Sequence, residues 1–294
     1  ARHDLERRTE YLESVLSGEG KLNAGGLIPY EIVHRFMKNA PCGAGLKDDL
    51  LAELMWKKIL TDGFANDWGL EDAIVVADGS GSMFSFASGS SSVSAIEVCN
   101  SLAIYFAEQL KGVFHNKAIT FSEHPQFIDL KDNTSLKDKM EIMFAYDEVA
   151  NTNIEAVFNL ILDMAKSREV PREELPKQVL IISDMEFDWA VGNESWSPIR
   201  RKPVNDVLFE RIAAKYEENG YRMPRLIFWN VCGRTDTIPK VDNEEGLCLL
   251  SGFSQNAMKI AADRTQKDPY ESLLSVLNSP RYQAIEDAIK EYVA

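Results

Sequence analysis

"IVVADGSGSM", residues 74–83, is the stretch from which the fold of this chain can be read. A hydrophobic run passes without interruption into Asp78, and Ser80 and Ser82 follow at alternate positions beside Gly79 and Gly81. An unbroken β-branched run suits a strand covered on both faces, as in a parallel sheet. Ligands of open α/β sheets gather at the carboxyl ends of such strands. Alternation in an extended turn can aim Asp78, Ser80 and Ser82 the same way. The two glycines are expected to let the backbone close around that point. One carboxylate and two hydroxyls form a hard-oxygen set. That set suits Mg²⁺, which takes roughly six oxygens at ~2.1 Å and keeps several waters.

Working outward, short apolar runs alternate with helical patterns from about Leu70 onward. "KAITFS", "KQVLIISD", "RLIFWNVC" and "GLCLLSGF" read as further strands. "SAIEVCNSLAIYFAEQL", "LKDKMEIMFAY", "NIEAVFNLILDMAKSR" and "VNDVLFERIAAKYEENG" read as the helices between them, and helical patterns continue to the C-terminus. Strands alternating with helices imply right-handed crossovers. The expected fold class is α/β: a doubly wound, mostly parallel, Rossmann-like sheet flanked by helices. Upstream, apolar residues recur at helical spacing in stretches containing Leu5 to Leu16, Ile32 to Met37 and Leu50 to Ile59. We expect residues 1–68 to be a helical lead-in, the end of a larger helical domain, and residues 69–294 to form the α/β domain with C-terminal helices. The chain opens without an initiator Met, as an excised piece of a longer protein would.

Two further segments offer oxygen at strand or loop ends. "ANTNIEAVF" puts Thr152 just before a helix, and Asp184 ends the run "VLIISD". Together, D-x-S-x-S after the first strand, a later Thr and an Asp after a central strand resemble the von Willebrand factor A (vWA) family and its metal-ion-dependent adhesion site (MIDAS). The likeness covers about Leu70 to Ala262. It implies that Ser80 and Ser82 bind a metal through their hydroxyls. It implies that Asp78 and Asp184 hold metal-bound water or coordinate directly, and that Thr152 switches between direct and water-mediated contact. It also implies an open coordination position that an acidic group of a protein partner completes. Mg²⁺ is the expected ion, with Mn²⁺ or Ca²⁺ as alternatives. "DGSGSM", "ISDMEFD" and "LSGFSQNAMK" further resemble the C-terminal part of the DUF2828 family of uncharacterised proteins. The A domain of the Ro ribonucleoprotein group is a more distant likeness; there a helical region binds RNA, so RNA binding through a missing N-terminal helical region is the alternative function.

Other residues carry weaker signals. The stretch from Asp188 to Asp206 is long for a strand-to-helix connection. It holds Trp196, Arg200, Arg201 and Lys202, which would receive a partner's carboxylate or phosphate or simply form a solvated basic run. Glu186 and Asp188 stand near Asp184 as outer acids or as solvated residues. The serine-rich segment Phe84 to Ala95 reads as a flexible linker, with ligand wrapping as the alternative. Ser94 and Glu97 have the spacing of a capping box. His3, His34, His115 and His124 show no ligand spacing. Trp56, Trp68 and Trp229 read as packing residues.

Composition limits the function classes. The net charge of −14 repels free polyanions on average and suits metal ions and basic partners. The four cysteines include no C-x-x-C pair, which argues against a zinc ribbon and fits a reducing, intracellular setting. No window approaches the roughly 18 apolar residues of a membrane span. The chain has no P-loop, no G-x-G-x-x-G after a strand and no G-x-S-x-G elbow, and where a phosphoaspartate enzyme would carry D-x-D it has D-x-S. We therefore expect a binding protein rather than an enzyme.

Overall fold

A computed structural model of the chain describes residues 2–17, 19–22, 27–38, 40, 45–62, 72–87, 92–146, 153–184, 204–232, 247–251, 274, 277, 278 and 289. The helices are α1 (Arg2–Leu16), α2 (Pro29–Met37), α3 (Leu50–Asp62), α4 (Ala95–Gln109), α5 (Leu136–Phe144), α6 (Ile154–Ser167) and α7 (Val204–Glu218). The strands are β1 (Ala73–Ala77), β2 (Lys117–Thr120), β3 (Phe127–Asp129), β4 (Gln178–Ser183), β5 (Arg225–Asn230) and β6 (Leu247–Ser251). Among the described residues they form one sheet of six strands in the order β3-β2-β1-β4-β5-β6. All neighbours are parallel except β2 and β3, which pair antiparallel. The expected doubly wound, mostly parallel α/β fold is present. Strand β3 is absent from the sequence reading. It is three residues long, and only Ile128 of "FID" is buried, so it shows neither a run nor an alternation.

Side-chain alternation divides the sheet into two cores. Ala73, Val75, Ala77, Leu180, Ile182, Ile227 and Trp229 face one side. Ile74, Val76, Val179, Ile181, Leu226 and Phe228 face the other, against α6 and α7. Every residue of β1 and β4 is buried, which accounts for their apolar runs. On the first side lies α4, buried continuously from Ala95 to Ala107. It is mostly apolar, and even Glu97, Asn100 and Ser101 are buried, so the helix is covered on every face. The sheet covers one face; α2 and α3 cover another with Ile32, Val33, Phe36, Ala52, Trp56 and Ile59. Trp56 and Trp229 are packing residues, as expected, and Trp68 lies outside the described residues.

Polar side chains fix these layers to one another. The Glu53 carboxylate on α3 accepts from Leu136 N at 3.0 Å and Lys137 N at 3.1 Å, so it caps the start of α5. Ser135 Oγ accepts from Asp138 N at 3.1 Å, completing that cap. Across the other core, Tyr216 on α7 donates to Phe158 O on α6 at 2.7 Å. No helix among the described residues is long and apolar enough to cross a membrane.

Topology then sets where a site can form. The chain turns from β1 to β2 on one side and reaches β4 on the other, so the order reverses at the β1–β4 pair. Helix α4, which follows β1, lies in one layer, and α7, which follows β4, lies in the opposite layer. In open α/β sheets such a reversal is where a ligand crevice is expected, at the carboxyl ends of these two strands.

Candidate functional site

Asp78 and Asp184 stand at these strand ends, 3% and 4% exposed. The β1–β4 register pairs Ala77 with Ile182, so the next residues, Asp78 and Ser183, lie side by side. Asp78 N donates to Ile182 O at 3.1 Å and extends the pairing past the strand end. The Asp78 carboxylate is held from both sides. Oδ1 accepts from Ser80 N at 2.9 Å, and Oδ2 accepts from Ser183 Oγ at 2.5 Å. The Ser80 and Ser82 hydroxyl oxygens are 3.1 Å apart. The chain then tightens into a single 3₁₀ turn from Gly81 to Phe84, with Met83 N donating to Ser80 O at 3.0 Å. Asp78, Ser80, Ser82 and Asp184 thus stand at the carboxyl ends of β1 and β4.

Neither Gly79 nor Gly81 takes a positive φ, and a Cβ on Gly81 would meet nothing within 4 Å, so the backbone around Gly81 leaves room for a side chain.

Burial raises the Asp78 carboxyl above the ordinary aspartate range. Hydrogen bonds from Ser183 and Ser80 pull it back down, and the neighbouring Asp184 charge pushes it up again. Cys99 lies close by, its thiol 3.5 Å from Ile182 O. Burial first, and then Asp78, pushes that thiol far above its usual range, so it stays protonated and unreactive. Two buried acids and two hydroxyls suit a hard divalent cation. Their own hydrogen bonds satisfy Asp78 only in part, since its charge is still disfavoured. A cation would relieve both its burial and its repulsion from Asp184. Among the described residues no group of three or more His, Cys, Asp or Glu could hold a metal.

The remaining candidates are placed less fully. Thr152 lies outside the described residues. Its neighbour Asn153 caps α6, with Oδ1 accepting from Ala156 N at 3.0 Å, and Asn153 N donates to Ser122 O just past β2 at 3.3 Å. The start of α6 therefore reaches the same end of the sheet. Glu186, Asp188, Trp196, Arg200, Arg201 and Lys202 also lie outside the described residues. The described ends of the serine-rich segment pair with each other, while residues 88–91 lie outside the described residues. Phe86 and Ser94 bridge antiparallel, Ala87 N donates to Val93 O at 2.9 Å, and Ala95 N donates to Ser85 O at 2.9 Å. Its two ends are joined above the start of α4, where Glu97 Oε1 accepts from Ser94 N at 3.1 Å. His34 Nδ1 lies 2.6 Å from Glu97 Oε2 and His115 Nδ1 lies 2.7 Å from Leu110 O, so both rings have structural partners.

Ser183 is the site residue that sequence reasoning missed. It continues the alternation of Val179 and Ile181 into the core, and it is fully buried. A hydroxyl in such a position needs a partner, and the partner is Asp78. The signal was a polar residue inside an otherwise apolar run, directly before the acid that drew attention.

Residues 72–289 match a family described as "Domain of unknown function (DUF7788)". The chain is similar to "Uncharacterized protein L728" of Acanthamoeba polyphaga mimivirus, with 28% identity over 272 residues covering 92% of this chain and 43% of that protein. Among solved structures it is similar to the Deinococcus radiodurans Ro (RSR) protein, with a TM-score of 0.47 and 16% identity over 80% of this chain and 44% of that one. The chain thus spans less than half the length of each relative.

Proposed function

The chain belongs to the DUF7788 family, and from that premise we propose that it carries a metal-dependent binding module of the vWA kind. Asp78, Ser80, Ser82, Thr152 and Asp184 would hold Mg²⁺, or Mn²⁺ or Ca²⁺ in its place. An acidic group of a protein partner would fill the open coordination position, with Trp196, Arg200, Arg201 and Lys202 flanking it. The module is a binder without catalysis of its own, in an intracellular setting. The likeness to the C-terminal part of DUF2828 proteins stays within this proposal.

One observation supports the reading above the others. Asp78 and Asp184 are both buried at the point where strand order reverses, beside two serine hydroxyls. Like charges buried together are unfavourable unless a cation joins them. Titration calorimetry with Mg²⁺ and Mn²⁺ tests this. The parent chain should bind one ion, and the Ser80→Ala, Ser82→Ala double variant should lose that binding while keeping its fold. No heat of binding at millimolar Mn²⁺ would end the metal reading.

The second reading is a part of an RNA-binding, Ro-like protein. The comparisons sit nearer to it, because a Ro protein is among the similar structures, although at 16% identity that likeness concerns the fold. The net charge of −14 weighs against RNA contact by this chain itself. RNA affinity that falls steeply with salt would favour this reading.

A further inference from the structure

The metal reading does not account for Ser183, the residue at the end of β4 whose hydroxyl is buried in the core. We infer that Ser183 is a positioning residue of the site, acting through Asp78. This inference rests on the metal reading. Ser183 Oγ donates to Asp78 Oδ2 at 2.5 Å, the length of a hydrogen bond to a charged oxygen. The other oxygen, Oδ1, accepts from Ser80 N, so each carboxylate oxygen is gripped by a different part of the chain. With both oxygens held, the carboxylate plane cannot turn freely about its bonds.

Ser183 is itself held. Its carbonyl accepts from Val231 N at 3.0 Å, beyond the last residue of β5. The next residue is Asp184. One strand end therefore delivers one acid of the site and locks the other, so their separation follows the β1–β4 register. Mg²⁺ demands near-ideal geometry, and a side chain on a packed strand holds that geometry better than one on a loop. Without the Ser183 hydroxyl, Asp78 would keep only the donors of Ser80, all from its own turn, and lose its tie to the neighbouring strand.

Mn²⁺ titrations of the parent, Ser183→Ala and Ser183→Thr test this, each beside a melt in chelator to confirm folding. Removing a residue that orients a metal-holding group typically weakens metal affinity about 10- to 100-fold. We expect a loss of that size in Ser183→Ala and recovery to near the parent in Ser183→Thr. A purely structural role would lower the chelator melt and leave Mn²⁺ affinity in the folded protein unchanged. If the parent binds Mn²⁺ and Ser183→Ala binds it equally well, the inference is overturned and the metal reading stands. Failure of Ser183→Thr to recover binding overturns it too, because the hydroxyl is then not the cause. If the parent binds no Mn²⁺, the metal reading fails and takes this inference with it. Should Ser183→Ala not fold, Ser183→Cys, of similar volume with a weaker donor, takes its place and should still bind Mn²⁺ more weakly than the parent.

Discussion

With Asp78 replaced by Asn, the protein should melt higher than the parent in chelator and should gain nothing from millimolar Mg²⁺. The first effect follows from burial. Asp78 is 3% exposed, and burial, together with the Asp184 charge, disfavours its ionised form. Asn keeps the shape and an acceptor for Ser80 N without the charge. The second effect is the loss of the cation. An ion present at about 100 times its Kd stabilises the folded state by ~2.7 kcal/mol. For a chain of this size that is on the order of 4 °C. Asp184→Asn should lose the same metal-dependent shift. The pH dependence has a definite sign. In the metal-free parent, the folded Asp78 carboxyl lies above its unfolded value, so its contribution to stability is fully present below roughly pH 4. That contribution is lost as pH rises through the raised folded value. Asp78→Asn should flatten this part of the profile. An Asn variant that melts lower than the parent in chelator would show that the hydrogen bonds to Asp78 outweigh its burial. One that still responds to Mg²⁺ would remove Asp78 from the site.

The largest loss of stability is expected at the other end of the sheet, on replacing Lys139 by Met. Lys139 on α5 is 5% exposed, and its ammonium lies 2.9 Å from Glu108 Oε1 on α4. It also donates to Asn116 Oδ1 just before β2, at 3.3 Å, and Trp56 on α3 donates to the same Glu108 oxygen at 3.0 Å. Three helices and a strand entry meet at this ion pair. Glu108 is 16% exposed, lines a solvent-open cavity with Lys139 and keeps the Trp56 donor. The loss should therefore fall below the roughly 3–5 kcal/mol of a fully buried pair, at about 2 kcal/mol, or roughly 3 °C on melting. Adding Glu108→Gln to Lys139→Met should restore much of the loss, because both charges then leave together. A single-variant loss under about 1 kcal/mol, the range of exposed pairs, would show that water reaches the pair. Metal binding at Asp78 should be untouched in both variants.

How legible all this was in the sequence depended on what each residue had to satisfy. β1, β4 and β5 were legible because both faces are buried, which keeps their middles apolar: Ile74 to Val76, Val179 to Ile182 and Leu226 to Trp229. β3 was not, because it is short, lies at the edge and buries one residue. Asp78 and Asp184 stood out as acids that end apolar runs. Ser183 did not, because it sits inside such a run and its reason for being there lies on a neighbouring strand. That pairing comes from register, which the order of residues along one strand does not reveal. The glycines of "DGSGSM" suggested close backbone folding, and at Gly81 the structure leaves open space for a side chain. Thr152 and the basic loop from Trp196 to Lys202 lie outside the described residues, so their part in the site rests on the pattern alone.

The covering of α4 by α2 and α3 bears on what counts as a unit of this protein. The DUF7788 match begins at residue 72, whereas the apolar core on that side of the sheet begins at Ile32. A chain trimmed to the matched segment would keep its strands and its acids. It would also expose the outer side of α4, and that helix would seek another chain to cover it. The stretch that is recognisable by kinship is thus shorter than the stretch that closes this core, and the difference includes α2 and α3.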